Sequence, residues 1–439
     1  ASEVGRWMPQ LLQTIQNDDP KMRYLAAAGL AELGHAAREA TPTVVGLLGD
    51  ENEWVRYYAC YALGEIGASE PKLGVSLCAM TVDSSWHVRQ AAIDAVAKLG
   101  CVDDNVVRTL LQGLDDNDSR VRCSAIEAIG TLRIWKAEML PAVARILADP
   151  DERGKHRALV ALGKVDAPTD WVVVEATQLL DHVNPVVRTA AAEALSKRGA
   201  AASNAIPSLL ENLFNSTLPH HTRDAMRAAL RAIGKESIQS LLSALSGGPP
   251  PVRAEAAGLL GDLREADSSI LAALRLAMRD NEDLVRVCAA GAVWRLTGST
   301  TKVLEVLVDG LTSTDCSVVV NAARIAGRMG VKGLVAIGAL KDVATSGSGA
   351  ARRVAIVALI RLTRHDETNA TSLIRLLLGL LEGDDYELRE IAARGLGILR
   401  HPTAEVVATL QRCASFDWDV DVRAAAARSL TRLEERAQS

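Results

Sequence analysis

The chain has 439 residues, a 49% apolar fraction, only 3% aromatic residues and a formal charge of -5. This length exceeds what one compact core normally fills, and small aliphatic side chains must supply the interior. The weak negative balance argues against a chain globally dedicated to nucleic acid, and no apolar run reaches the ~20 residues of a membrane span.

The chain opens at Ala1-Ser2-Glu3, with neither Met nor a signal-like segment, as expected of a processed or excised piece. A phrase then recurs. Met22-Arg23-Tyr24-Leu25-Ala26-Ala27-Ala28-Gly29-Leu30 is followed by Val55-Arg56-Tyr57-Tyr58-Ala59-Cys60-Tyr61-Ala62-Leu63-Gly64 and by Val88-Arg89-Gln90-Ala91-Ala92-Ile93. Aligned on its basic residue, it returns at Arg23, Arg56, Arg89, Arg122, Lys155, Arg188, Arg223, Arg253, Arg286, Val319, Arg352, Arg389 and Arg423. A fixed period of this kind predicts stacked repeats, each packing on its neighbours.

Small or aliphatic residues recur at +3, +4, +6 and +7 from the aligned position, which is one face of a helix. Gly follows at +8 or +11, as at Gly64 and Gly67, and either ends the helix or permits close packing. Upstream lies a second apolar stretch, and Pro42, Pro141 and Pro207 sit near the starts of such stretches, where a first-turn proline is tolerated. Each unit therefore reads as helix, tight turn, helix. An Asp precedes the aligned position by six residues at Asp50, Asp83, Asp116, Asp149, Asp280 and Asp417; it is placed to cap the turn or to meet an Arg of the same or a neighbouring unit.

This Asp-turn-Val-Arg-x-x-Ala-Ala-x-Ala-Leu-Gly pattern resembles the HEAT-repeat family, in particular the short units found in phycobilin lyases. The resemblance covers about residues 9–436 and implies an all-α fold, an α-solenoid superhelix of about thirteen HEAT-like helix-turn-helix repeats. It also implies that the first helix of each pair lies on the convex side while the Arg-bearing second helix lines the concave side.

Farther along, Lys155 and Val319 break the Arg series, and Ser246-Gly247-Gly248-Pro249-Pro250-Pro251 is the strongest breaker. One continuous solenoid is expected, with residues 1–246 and 247–439 as its parts and a bend near 246–251. The Gly-rich stretch at 345–349 lacks the Lys-Ser/Thr of a phosphate loop and reads as a turn. Seven cysteines occur without a C-x-x-C pair; Cys60, Cys123 and Cys288 lie in helical phrases, as small buried residues of a reducing, cytoplasmic compartment would.

The positions left free by the buried stripe, about -3, -2, +1, +2, +5 and +9, define two zones. The first three units place Tyr24, Trp54, Tyr57, Tyr58, Tyr61, Trp86 and His87 there, with Glu53, Glu65 and Asp94 as an acidic rim. Such aromatic residues are favoured as binding anchors. The last five units place Arg295, Arg324, Arg328, Arg353, Arg361, Arg394, Arg428 and Arg432 there, and residues 281–439 hold seventeen Arg but only Lys302, Lys332 and Lys341. Guanidinium forks suit carboxylate or phosphate.

No convergent catalytic set is found. His220-His221 are adjacent and do not share a helix face, so a joint metal site is not expected. G-x-S-x-G, Walker and zinc spacings are missing, and no His-Glu pair matches the HEAT-fold iron hydroxylases. The expectation is a scaffold without catalysis or cofactor that binds a protein or peptide on its concave face. Two alternatives stand beside it: nucleic-acid or other polyanion binding through the Arg stripe, and a bilin-lyase-like or chaperone role.

Overall fold

A computed structural model describes residues 3–67, 71–100, 102–213, 218–363, 367–398 and 403–437. Among these, helices alternate with tight turns and no strand occurs. The chain divides into two compact units, Ala1–Ser237 and Ile238–Ser439.

In the first unit the second helices are Pro20–Leu33, Glu53–Ile66, Trp86–Leu99, Ser119–Leu132, Glu152–Leu162, Pro185–Arg198 and His220–Ile233. In the second they are Pro250–Asp262, Asp283–Thr297, Cys316–Arg328, Gly349–Thr363, Tyr386–Leu396 and Val420–Ala437. Each follows a first helix, such as Thr41–Gly46 or Ser268–Ala277, so the described residues form thirteen helix pairs and the fold is an α-solenoid. The +3, +4, +6 and +7 stripe is the core: Ala59, Cys60, Ala62 and Leu63 are fully buried, as are Ala256, Ala257 and Leu260. Cys60 and Cys123 are buried and Cys288 is half-buried.

The two glycine offsets have separate roles. A Cβ on Gly64, Gly130, Gly261 or Gly327, all at +8, would lie 2.7–3.0 Å from the Cα of Ala95, Ala161, Ala292 or Ala358 in the next second helix. Consecutive second helices thus touch backbone to backbone, an approach only Gly permits. Gly67 and Gly100, at +11, instead end their helices in the left-handed conformation, with φ of 63° and 69°.

The acidic turn also separates into two positions. The residue at -4 is the cap: Asp19, Asn52, Asp118, Asp151, Asn184, Asp315 and Asp385 each accept a hydrogen bond from a first-turn N–H of the second helix. The Asp at -6 joins repeats. Arg23 Nε and Nη2 donate to Asp50 Oδ2 and Oδ1 at 2.7 and 2.9 Å, while Nη1 donates to the carbonyls of Asn17 and Asp18 in its own turn. The same rung recurs as Arg56–Asp83, Arg89–Asp116 and Arg122–Asp149, then in the second unit as Arg253–Asp280 and Arg389–Asp417. Burial works to raise the carboxyls of Asp50, Asp83, Asp116 and Asp417, but the hydrogen bonds they accept outweigh it and hold them below their ordinary range.

Where the aligned residue changes, the rung changes. Lys155 is buried and donates through Nζ to the carbonyl of Leu147 at 2.6 Å. Arg286 has no rung because Ser313 stands where the next repeat would supply its Asp; it turns to Asp283 of its own helix and lies 3.7 Å from Asp309. The breaker at 246–251 forms the turn inside one repeat: Gly248 N–H donates to the Ala244 carbonyl at 3.0 Å, and Pro249 precedes the helix Pro250–Asp262.

Candidate functional site

In the first unit the aromatic residues assemble across three consecutive second helices. Tyr24 of Pro20–Leu33 stacks on Tyr58 of Glu53–Ile66, with centroids 5.3 Å apart and planes 15° from parallel. Tyr58 meets Tyr57 edge-on at 5.0 Å, Tyr57 meets Trp54 at 5.9 Å, and Trp54 reaches His87 of Trp86–Leu99 at 4.7 Å. His87 then stacks on Trp86 at 3.5 Å. Trp54 and Tyr61 are exposed and the other five half-buried, so the rings support one another and still face solvent. Burial pushes the Tyr57 hydroxyl above its ordinary range.

Of the expected acidic rim Glu53 is exposed, whereas Glu65 and Asp94 are half-buried and engaged. Lys98 Nζ pairs with Glu65 and stands 5.2 Å from the Tyr61 ring centre. Burial raises the Asp94 carboxyl, with a hydrogen bond to Ser124 in partial opposition. Arg120, from the next second helix, lies 3.2 Å over the Trp86 ring while bound to Asp118 at 2.7 Å. These cations cover two aromatic faces from within the chain. Between them a groove of about 520 Å³ is lined by Tyr57, Tyr61, Trp86, His87, Asp94 and Lys98 among others. Lys98 and Arg120 occupy +9 and -2 offsets, so the same register that picks out the rings picks out their cationic caps.

The arginines of the second unit fall into different environments. Arg295 departs from the expected exposed stripe: Nη2 donates to the Gly258 carbonyl at 3.0 Å, Nε lies 3.5 Å from Asp262, and burial lowers its affinity for its proton. Its offset matches the other arginines, but the preceding repeat supplies a carboxylate and a helix carbonyl to hold it. Arg353 pairs with Glu387, and exposed Arg394 pairs with Glu390 one turn earlier. Arg324, Arg328 and Arg361 are exposed; together with Arg353 they line a groove of about 290 Å³ over Ala323, Gly327, Val354, Val357 and Ala358.

A second exposed aromatic group gathers at the last two repeats: Tyr386 and Val420 sit at the -3 offset of their second helices, while Phe416 ends a first helix and Trp418 lies in the turn after it. Phe416, Trp418 and Val420 are 83%, 70% and 63% exposed, Tyr386 lies 6.4 Å from Trp418, and Arg389 lies 4.7 Å over the Trp418 ring.

Comparison with known proteins agrees with this architecture. The HEAT-repeat family model matches residues 8–97, 75–163, 139–231, 238–328 and 373–438. Repeats of this kind are what the alternating helix pairs and Arg–Asp rungs define, and the chain belongs to the HEAT-repeat family. Comparison with curated protein sequences finds no match. Among solved structures, importin beta is 15% identical over 98% of this chain and 69% of that one, with a TM-score of 0.58. Kap95 in the Kap95:Nup1 complex gives 13%, 99%, 68% and 0.61. Kap121p bound to Pho4p gives 14%, 100%, 55% and 0.57, so the chain spans about half the length of Kap121p. At these identities the likeness is one of fold. No catalytic family is indicated, and among the described residues no helix is long and apolar enough to cross a membrane.

Proposed function

We propose that the chain is a non-catalytic scaffold that binds a protein segment along its second helices, anchored on the aromatic surface of the first unit. The observation that carries this reading is the continuous run from Tyr24 through Tyr58, Tyr57, Trp54 and His87 to Trp86, open to solvent beside a groove of about 520 Å³. Rings in mutual contact are already ordered, so a partner loses little freedom in packing on them, and Tyr and Trp supply large contact area per rotor. The fold neighbours support the reading, since Kap121p and Kap95 are solved with protein partners, Pho4p and Nup1. Cys60, Cys123 and Cys413 are buried as thiols, which supports a reducing, cytoplasmic setting.

The test starts from a displayed peptide library selected on the whole chain. Selected peptides are measured by calorimetry against the wild type and against Tyr57→Ala/Tyr58→Ala/Tyr61→Ala, with circular dichroism and melting temperature checking the fold. The expected loss is about 30-fold or more, as for truncated hot-spot residues. Unchanged affinity across the selected set removes the aromatic surface from the account.

A further inference from the structure

At offsets +5 and +9 the two units carry different charges. The first unit holds Glu32, Glu65, Asp94, Glu127 and Glu193 there, interleaved with Lys98, Lys164 and Lys197. These charges are partly closed between repeats, by Glu65 with Lys98 and by Glu127 with Arg157 at 2.7 Å. From repeat ten onward the same offsets hold Arg324, Arg328, Arg361, Arg394, Arg428 and Arg432, and no carboxylate. Arg394 has Glu390, and Arg324 reaches only the Asn321 amide oxygen at 3.3 Å. Arg328, Arg361, Arg428 and Arg432 are exposed and meet no carboxylate among the described residues.

The arrangement repeats. Arg324, Arg328 and Arg361 stand over the methyl-lined groove of about 290 Å³ between Cys316–Arg328 and Gly349–Thr363. Arg394, Arg428 and Arg432 line a second groove, of about 330 Å³, between Tyr386–Leu396 and Val420–Ala437. Its wall includes Ser429, only 1% exposed, whose hydroxyl has no partner.

We propose that this face is a track for an extended acidic segment of a partner protein, whose Asp or Glu carboxylates seat in the two grooves. Guanidinium forks pair with carboxylates through two parallel hydrogen bonds. Packed helices lie ~8–10 Å apart and an extended chain advances ~3.3 Å per residue, so a carboxylate on every third residue meets successive second helices. The small apolar floor at Ala323, Val357 and Ala358 accommodates the aliphatic stem of such a side chain. The groove linings favour a protein segment over a nucleic acid. No Phe, Tyr or Trp lines either groove to stack a base, and across residues 238–439 Lys and Arg equal Asp and Glu in number, which leaves no broad positive field for a polyphosphate.

The inference rests on the second unit alone, so its failure leaves the aromatic reading standing. The experiment uses the whole chain and fluorescence anisotropy at about 0.1 M salt, where surface charges are only partly screened. Three labelled probes are compared: a peptide with Glu at every third position, the same peptide with Gln, and a single-stranded oligothymidylate of matched length. The Glu peptide is expected to bind at least about tenfold more tightly than either other probe, and Arg328→Gln/Arg361→Gln to weaken it by about tenfold or more. Both arginines are exposed, and an unchanged circular dichroism spectrum and melting temperature show that the variant folds. No binding of the Glu peptide, equal binding of the Gln peptide, tighter binding of the oligonucleotide, or an unaffected variant overturns the proposal.

Discussion

Residues 1–237 and 238–439 are built from the same helix pair, and the positions that build it are shared. Both units bury the +3, +4, +6 and +7 stripe, bring second helices together at +8 glycines and tie repeats with Arg–Asp rungs. They diverge at the free offsets, where the first unit carries stacked rings with internally paired charges and the second carries arginines with few partners. Burial and backbone contact fix the first set of positions, because a change there breaks packing. The second set is left free by the fold, and its chemistry is therefore where the two units can differ in purpose.

The comparison is tested most severely at the rungs. Arg389 and Asp417 have side chains only 3% and 7% exposed, and Arg389 also satisfies the Gly383 and Asp384 carbonyls at 2.9 Å. Arg389→Met should destabilise the second unit by about 3–5 kcal/mol, since it leaves a buried carboxylate unpaired. The equivalent Arg23–Asp50 pair is 19% and 10% exposed, and Arg23→Met should cost nearer 1 kcal/mol because solvent screens what remains. Amide hydrogen exchange, read helix by helix, measures each unit separately. Equal effects would mean that burial does not set the strength of the rungs.

A smaller effect of opposite sign at two kinds of glycine tests whether the +8 position is common to both units. Gly130→Ala and Gly327→Ala place a methyl 2.9 and 2.8 Å from the next helix's Cα, and each should cost about 1–3 kcal/mol through overpacking. Gly258→Ala, also inside a second helix but with nothing within 4 Å, should instead gain about 0.5–1 kcal/mol. Urea denaturation followed by exchange in the flanking helices distinguishes the two outcomes.

Acid should separate the units as well. The carboxyls of Asp50, Asp83 and Asp116 in the first unit, and of Asp280 and Asp417 in the second, are held below the ordinary range. A group whose folded pKa is depressed binds fewer protons folded than unfolded, so its stabilisation is complete above the unfolded value near ~4 and is lost as pH falls through the folded value. Three such groups stand on consecutive rungs of the first unit, so pepsin digestion at stepwise lower pH should cut within residues 1–237 first. Earlier cleavage beyond residue 238 would reverse the ranking.

Much of this was legible in the sequence. The period, the helix pair and the buried stripe follow from spacing alone, and the offsets that remain free found both the rings and the arginines. Other features depend on what lies about twenty-seven residues away in sequence but one repeat away in space. Asp50 and Asn52 both belong to an acidic, polar turn, yet only Asp50 lies within reach of Arg23 while Asn52 caps its own helix. Gly64 and Gly67 differ likewise, one facing Ala95 and the other ending a helix. Arg295 has the offset of an open arginine and is held by Asp262 and Gly258 of the repeat before. Phe416 closes a first helix and Trp418 lies in the turn after it, where a register built on the second helices has no position for them.

The smallest predicted effect concerns two repeats that lack a glycine where others have it. Arg133 and Arg264 stand at +11, the position of Gly67 and Gly100, and adopt φ of 54° and 55°. Arg133 N–H donates to the Ile129 carbonyl, the same helix-ending bond that Gly67 N–H makes to Leu63, while Arg264 follows the cap residue Leu263 of its helix. A side chain in that conformation suffers a contact between its Cβ and the following carbonyl that Gly lacks, worth roughly 1–2 kcal/mol. Part of the gain from removing it is offset because Gly has more freedom in the unfolded chain. Arg133→Gly and Arg264→Gly should therefore each stabilise their own unit by about 0.5–1 kcal/mol, one in each half of the chain. A gain in only one unit, measured by exchange in Ser119–Leu132 and Pro250–Asp262, would show that the helix stop is not the same device in both.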